Sequence, residues 1–296
     1  DYEVIAVDDG STDESVEMLR RAATRDSRIQ VHTGEHRGLI EALNRGLDQC
    51  RGEYVARMDA DDIAHRRRLE LQLELLESAD GPDVASALVA HFPRRTLREG
   101  FRIYETWLNS LVEHDDILRE RFIESPLHHP SIMTRRRVLT SADGYRERGW
   151  PEDYDLWLRL AATGVTFGKV PRFLYLWRQH EERLTRTDSR YSVERFLTCK
   201  AHHLVAGPLA DSVPVIVWGA GQTGRRLSKH LGRFGAALQG FIDIDPGKIG
   251  RTLRSLPIWA AEALPDRLAD DERTVVLAAV SSRGARRLIR QRLTGL

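Results

Sequence analysis

Short apolar runs alternate with amphipathic stretches through the first third of the chain. Val4–Val7 is a β-branched run that reads as a buried strand. Ser11-Thr12-Asp13-Glu14 follows as a capping-box pattern, opening an amphipathic helix to about Arg25. Ile29–His32 reads as a second strand, and Leu39, Ile40, Leu43 and Leu47 mark one face of a helix ending near Gly52. Tyr54–Met58 predicts a third strand. Leu69, Leu73 and Leu76 then place a helix over Arg66–Ser78, with His65 just ahead of it. Phe101–Glu124 is helical in pattern, and another helix starts near Pro151. Val165–Val170 and Phe173–Trp177 are strand-like, and Tyr191–Val205 is helical. Such alternation predicts an α/β fold with a mostly parallel sheet, flanking helices and ligands at the carboxyl ends of the strands.

A second strand–turn–helix pattern begins at Pro214–Trp218, after the linker-like stretches Gly207-Pro208 and Asp211–Pro214. The spacing places a domain boundary near residue 210, giving domains 1–210 and 211–296. Gly219-Ala220-Gly221-Gln222-Thr223-Gly224 opens a helix through Leu231, and the next strand, Leu238–Ile242, ends at Asp243. Asp243 lies 24 residues after Gly219, close to the ~20-residue spacing of a dinucleotide fingerprint. Two readings stay open. In one, Gly219, Gly221, Gly224 and Asp243 form a second nucleotide site, with the helix start presenting amides to phosphate. In the other, the domain is a docking module that keeps the glycine turn for its geometry. Only a short helix, a strand at Thr274–Val280 and a helix at Ala285–Leu293 follow, too little for the substrate domain of a dehydrogenase.

Composition narrows the class. The 296 residues suit two domains, with 41% hydrophobic and 30% charged residues and a formal net charge of +1. So small a net charge gives no field to attract nucleic acid. Only Lys169, Lys200, Lys229 and Lys248 are lysine among 45 basic residues. The arginines are spread along the chain and offset by 44 acids, so a coding bias explains them better than a phosphate-binding surface. No apolar run approaches the ~18 residues of a membrane span. Cys50 and Cys199 cannot make a disulfide scaffold and read as reduced thiols of a cytoplasmic protein. No signal peptide is recognisable, and the chain enters its first strand directly from Asp1.

Three acidic clusters sit where the alternating pattern puts a ligand site. Asp8-Asp9 ends the first strand, Asp59, Asp61 and Asp62 end the third, and Glu152-Asp153 opens a helix. If the segment is extended, Asp59 and Asp61 point to one side and can share one ligand. Hard carboxylate oxygens suit Mg²⁺ or Mn²⁺, which stabilises a departing diphosphate. Acids at strand ends also occur as solvated turn residues or caps. Three such clusters together favour a functional site.

These segments resemble a known family. Val7-Asp8-Asp9-Gly10-Ser11-Thr12-Asp13, Met58-Asp59-Ala60-Asp61-Asp62 and Pro151-Glu152-Asp153-Tyr154-Asp155-Leu156-Trp157 look like the motifs of family 2 glycosyltransferases. Arg37-Gly38, Ala42-Leu43-Asn44-Arg45-Gly46, His129-Pro130-Ser131 and Trp177-Arg178-Gln179-His180 follow that family's order too, so the likeness covers about residues 1–185. It implies a GT-A nucleotide-diphospho-sugar transferase fold whose first strand and helix are missing here. It also implies that Asp9, with Asp8 beside it, contacts the base or ribose of a nucleotide-sugar. Asp59 and Asp61 would form the metal-binding D-x-D element, with Asp61 the direct ligand and Asp59 nearer the nucleotide. Asp153 would be the general base, with Glu152 the alternative; Arg37 and Arg178 would meet the diphosphate or acceptor. A helix start should keep Asp153 ionised, and Leu156 and Trp157 read as core.

The run Gly240–Gly250 resembles the small Rossmann-like βαβ domain attached to sugar N-acyltransferases. The expected activity is metal-dependent, inverting transfer of a sugar from a nucleoside-diphosphate donor to the hydroxyl of a glycan or lipid-linked acceptor. The expected place is cytoplasmic, with peripheral contact at the inner face of the membrane left open. Two alternatives remain: a non-catalytic nucleotide-sugar sensor or scaffold, and an NAD(P)-dependent oxidoreductase using the second site.

Overall fold

The structure, a computed structural model, describes residues 1–282 and 284–294, apart from the Thr96 side chain. Arg283 and the last two residues of the expected 211–296 domain lie outside the described residues. Two compact units divide the chain, Asp1–Thr187 and Asp188–Leu296.

The first unit opens with β1 (Val4–Asp8), α1 (Ser15–Arg25), β2 (Ile29–Thr33) and α2 (Leu39–Gln49). β1 and β2 form a two-stranded parallel sheet, joined by the expected helical crossover. The capping box does not form. The helix starts at Ser15, whose amide donates to Asp13 Oδ1 (3.0 Å), because Asp8 draws the Gly10 and Ser11 amides back toward the strand end. Then follow β3 (Tyr54–Ala56), β4 (Ile63–Ala64), α3 (Arg68–Leu76), β5 (Val84–Phe92), α4 (Glu99–Ser110) and α5 (His114–Glu120). β6 (Met133–Arg135), α6 (Arg136–Ser141), α7 (Glu152–Ala162), β7 (Phe167–Arg178) and α8 (Leu184–Thr187) complete the unit.

These strands make one sheet in the order β3-β6-β5-β7-β4. β5 and β7 are parallel, while β6 and the two edge strands run antiparallel to their neighbours. β5 was not legible as a strand. Its Val-Ala-Ser-Ala-Leu-Val-Ala core is buried on both faces, so it carries small residues in place of an alternating pattern. Val165–Val170 and Phe173–Trp177 are one continuous strand whose partner register shifts near Leu88, which accommodates Pro171. Leu156 and Trp157 lie in the main core, as expected, with Ile40, Leu47, Val84, Ile132 and Phe167. That core ties α2 and α7 together.

The second unit contains α9 (Val193–Ala206), β8 (Pro214–Trp218), α10 (Gln222–Arg233), β9 (Ala237–Asp243), β10 (Thr252–Leu253), β11 (Leu256–Ala260), α11 (Leu264–Ala269), β12 (Val275–Ala278) and α12 (Ala285–Leu293). Its division from the first unit falls ahead of the 211–214 linker. The reason is that α9 packs with α10 and its Glu194 holds the buried His230 (2.8 Å). The sheet order β10-β11-β9-β8-β12 contains the doubly wound sequence of strands, with a switch point between β8 and β12.

Helix α7 is pinned by a buried ion pair. Arg159 Nε donates to Asp155 Oδ2 (2.7 Å), Arg159 Nη2 donates to the Gly144 carbonyl (2.8 Å), and Trp150 Nε1 donates to Asp155 Oδ1 (3.0 Å). Replacing Arg159 with Leu strips the guanidinium from a carboxylate that is 3% exposed. The expected loss is about 3–5 kcal/mol in urea unfolding. A loss under about 1 kcal/mol would count against this role for the pair.

Candidate active site

The acidic turn is built by a topological crossing. β3 and β4 are opposite edges of the five-stranded sheet, so the connection Arg57–Asp62 passes over the ends of the strands between them. The segment is a turn, with the Asp62 amide donating to the Asp59 carbonyl (3.3 Å), rather than the extended strand expected. That curl, not strand alternation, gathers Asp59, Asp61 and Asp62 so that one carboxylate oxygen of each lies within 4.8 Å of the others. Its underside is satisfied by α3. Buried Arg68 donates to the carbonyls of Arg57 (2.8 Å) and Ile132 (3.0 Å), and Gln72 donates to those of Ala85 (3.1 Å) and Ser131 (2.8 Å).

β7 closes the other side. The Arg178 amide donates to Asp62 Oδ1 (2.7 Å), and Arg178 Nε donates to the Asp61 carbonyl (2.5 Å). The Asp59 amide donates to the Tyr175 hydroxyl (3.2 Å). His180 Nε2 lies 3.1 Å from Asp61 Oδ2. Asp62 is 6% exposed, and burial pushes its carboxyl up to about 6 against the hydrogen bonds from the Arg178 amide and the Tyr175 hydroxyl. Three clustered hard-oxygen donors fit a divalent cation of the Mg²⁺ or Mn²⁺ kind.

Arg57 stands between this cluster and the start of α7. Its Nη2 pairs with Asp59 Oδ1 at 2.5 Å, and its charge also acts on Asp153. Asp153 Oδ1 accepts the Tyr154 amide (2.7 Å) in the first turn of the helix. Contrary to the expectation of an ionised side chain, burial and the adjacent Glu152 push Asp153 up to about 8. One helix-end field does not offset desolvation of that size. Glu152 is itself buried.

Asp8, Asp9 and Arg37 line a separate cleft of about 370 Å³ with Thr33, Glu35 and Arg45. Asp8 turns inward, and hydrogen bonds from Ser11 and Gly10 hold its carboxyl below the usual range. Asp9 accepts the amides of Arg37 and Gly38, both at 2.8 Å, and pairs with His36 (2.8 Å). Asp9 therefore shapes the loop that enters α2.

In the second unit, Gly219, Gly221 and Asp243 line a cleft of about 520 Å³ at the β8/β12 switch point, with Gln222, Thr223 and Lys248. Gly224 does not line it. Asp243 accepts the Ala220 amide (2.8 Å) and pairs with Lys248 (3.2 Å).

Sequence reasoning missed Arg57, Tyr175 and Arg183 as neighbours of the site. Arg183 stacks over Trp177 at 4.5 Å, and the charges of all three turn aspartates act on it. Arg57 alone was open to suspicion, because it stands two residues before Asp59 in a run otherwise set for burial.

Residues 1–142 match the glycosyl transferase family 2 domain, and residues 211–293 match the CoA binding domain. The amylovoran biosynthesis glycosyltransferase AmsE of Erwinia amylovora is 31% identical over 176 residues, 58% of this chain and 62% of that protein. The UDP-Gal:alpha-D-GlcNAc-diphosphoundecaprenol beta-1,3-galactosyltransferase of Escherichia coli is 28% identical over 173 residues, 58% of this chain and 61% of that protein. The crystal structure of S. aureus TarS 1-349 in complex with UDP-GlcNAc aligns with a TM-score of 0.55 at 18% identity, covering 78% of this chain and 63% of that one. The chain thus spans about 62% of the length of the first curated relatives it matches. The likeness to TarS is one of fold.

The glycines of the second cleft separate by experiment. A Cβ on Gly224 would stand 1.7 Å from the Gly219 carbonyl oxygen, whereas one on Gly221 meets nothing within 4 Å. Gly224→Ala should lower stability by more than about 4 kcal/mol in thermal or urea unfolding, and Gly221→Ala should change it by less than about 1 kcal/mol. Equal effects would refute this division.

Proposed function

Since residues 1–142 are a glycosyl transferase family 2 domain, we propose that this protein transfers a sugar from a nucleoside-diphosphate donor to an acceptor hydroxyl, with inversion. The observation that carries the reading is the acidic turn opposed to a half-buried Asp153, with Arg57 between them. Asp153 and Arg178 lie beyond the matched 1–142, so their roles rest on this geometry and on the motif they share with the family.

In this reading the 370 Å³ cleft takes the base and ribose, with Arg37 at its wall and Asp9 holding the loop that frames it. Asp61 and its neighbours hold Mg²⁺ or Mn²⁺, which when bound neutralises charge on the leaving diphosphate. Arg178 is fixed to the turn by two hydrogen bonds and so brings its cation to the leaving-group side. Asp153 accepts the proton of the acceptor hydroxyl. A carboxyl pushed up to about 8 is a stronger base than an exposed aspartate, at the cost of being mostly protonated at neutral pH. The relatives' names, amylovoran biosynthesis and a diphosphoundecaprenol-linked acceptor, support a glycan or lipid-linked acceptor for this chain too. A location on the cytoplasmic face fits such an acceptor; among the described residues no helix is long and apolar enough to cross a membrane.

A second reading concerns the C-terminal cleft. Asp243 is engaged by the Ala220 amide and Lys248, so its carboxylate is not free for a ribose diol, which weighs against the oxidoreductase alternative. Gly221 has room for a side chain and lacks one, as a phosphate lying against the backbone requires. We therefore propose a phosphate-bearing ligand there rather than a docking role alone.

The transferase reading is tested by release of nucleoside diphosphate from a panel of sugar donors with Mg²⁺ or Mn²⁺. Asp153→Asn should lower kcat by about 10²–10⁴-fold and leave donor KM within a few-fold. Wild-type kcat/KM should rise with pH through about 8, because Asp153 must lose its proton to act as base. A protein that binds donor but never turns it over is the sensor or scaffold instead.

A further inference from the structure

We propose that the segments leaving β5 and β7 form a docking surface for an anionic lipid bilayer and hold the mouth of the active site against it. The inference rests on the transferase reading above and deepens it, by naming the surface at which a lipid-linked acceptor is met.

β5 and β7 are parallel, with Phe92 beside Arg178, so both leave the sheet at the end that carries the acidic turn. The Gln179 amide donates to the Phe92 carbonyl (2.8 Å), which starts the two segments side by side. Beyond the sheet they meet again. The Arg186 guanidinium lies 5.2 Å from the centre of the Phe101 ring in α4. Arg183 lies over Trp177 (4.5 Å), whose ring stacks on His91 near the end of β5 (4.4 Å).

The segment after β5 is strongly basic. Arg94, Arg95, Arg98 and Arg102 stand exposed there against a single exposed acid, Glu99. The side chains of Arg95, Arg98 and Arg102 have no hydrogen bond or ion pair among the described residues, and Arg94 gives one nitrogen to buried Glu105 (2.6 Å). The segment after β7 adds exposed Arg186, with Glu181 and Glu182 in the same stretch, so the excess of cations is concentrated on the β5 side. The chain as a whole carries only +1, which makes this excess a local feature.

Two exposed apolar side chains flank the contact between the segments, Ile103 (45%) on α4 and Leu184 (50%) at the start of α8. Guanidiniums set around exposed apolar groups match the headgroup layer of a bilayer. The cations pair with lipid phosphates, and the apolar side chains enter the boundary with the acyl chains. Arginine suits this task, because its fork pairs with phosphate oxygens and its stem is apolar. A nucleic acid would match the charge but give Ile103 and Leu184 nothing apolar to bury against. Position agrees with chemistry: a lipid diphosphate carries its sugar just above the headgroups, and the acidic turn stands at the same end of the sheet.

Vesicle flotation of the full chain tests the assignment. The protein should bind phosphatidylcholine vesicles containing about 30% phosphatidylglycerol and ignore phosphatidylcholine alone, and binding should fade as salt rises from about 0.1 to 0.5 M. Arg95→Glu, Arg98→Glu and Arg102→Glu together should weaken it by about tenfold or more. Arg20→Glu, Arg25→Glu and Arg137→Glu make the same charge change at exposed positions elsewhere in the unit, and should weaken it by less than about threefold. Ile103→Ser with Leu184→Ser should weaken it by about threefold or more at constant salt. Circular dichroism checks that each variant is folded. A wild-type chain that ignores anionic vesicles, or equal losses in the two triple variants, overturns the inference and leaves the transferase reading standing. A dimer in sedimentation velocity that the Arg95, Arg98 and Arg102 reversals dissociate assigns the surface to a second copy and overturns it too. Vesicle binding as expected, with no nucleoside diphosphate released from any donor, supports the docking surface and overturns the transferase reading alone.

Discussion

The connection from β3 to β4 has to join opposite edges of a five-stranded sheet within Arg57–Asp62. So few residues cannot wander, and the carbonyls and amides they carry must find partners at the strand ends. The partners come from three directions. Arg68 of α3 takes the Arg57 carbonyl from below, Tyr175 takes the Asp59 amide, and the Arg178 amide meets the Asp62 carboxylate. Arg68 is 2% exposed, yet burial lowers it only to about 10, so it stays charged beneath a turn bearing three carboxylates. The acidic cluster is thus held in place by the fold before any ligand arrives. This is the preorganisation an electrostatic site needs, since nothing has to reorient as charge develops.

Charge in this region is arranged as alternating layers. The turn carboxylates come first, then Arg57, then the Glu152–Asp153 pair at the start of α7. Arg57 is the only one of these groups that can favour ionisation on both sides: it pairs with Asp59 directly and opposes the rise in Asp153. The Glu152–Asp153 pair pulls the other way, since two adjacent carboxyls in a buried setting cannot both ionise cheaply. His128 and His129, both held well below their ordinary range by burial, stay neutral and add no further cation. In the proposed function the Asp153 side is therefore neutral-leaning, while the three turn carboxylates are met by the cations of Arg57, Arg178 and Arg183.

Much of this was legible from residue order alone. Strand–helix alternation, the acidic clusters at element ends and the glycine turn each follow from local rules, and most expected helices fall within a few residues of their bounds, although Phe101–Glu124 divides into α4 and α5 and α6 was not foreseen. What escaped is what depends on tertiary burial. Val84–Phe92 gave no alternation because both its faces are covered, and so a central strand was invisible. Asp62 looked like one more turn acid, because nothing local reveals that the Arg178 amide, far along the chain, orients it. The ionisation of Asp153 was misjudged for the same reason: the helix-start field is a local signal, whereas desolvation comes from the core around α7. The capping box failed for a local reason, since Asp8 takes the Ser11 amide that the Glu14 carboxylate of the box would accept.

The C-terminal unit shows how far a motif speaks for function once its geometry is separated from its chemistry. Gly219 sits at φ +118, with a Cβ position 2.6 Å from the Ala279 carbonyl, and Gly224 has no room for any side chain. Both are demanded by the close passage of β8, β12 and α10, whatever the unit binds. Asp243 is likewise accounted for by the Ala220 amide and Lys248, which fasten the ends of β8 and β9 together. Three of the four fingerprint residues would persist in a protein that had lost every ligand. Gly221 alone has no packing reason to be glycine, and it faces the cleft with Lys248 and the first turn of α10. The case for a bound phosphate in this unit therefore rests on the open backbone at Gly221, the N-cap of α10, and not on the fingerprint.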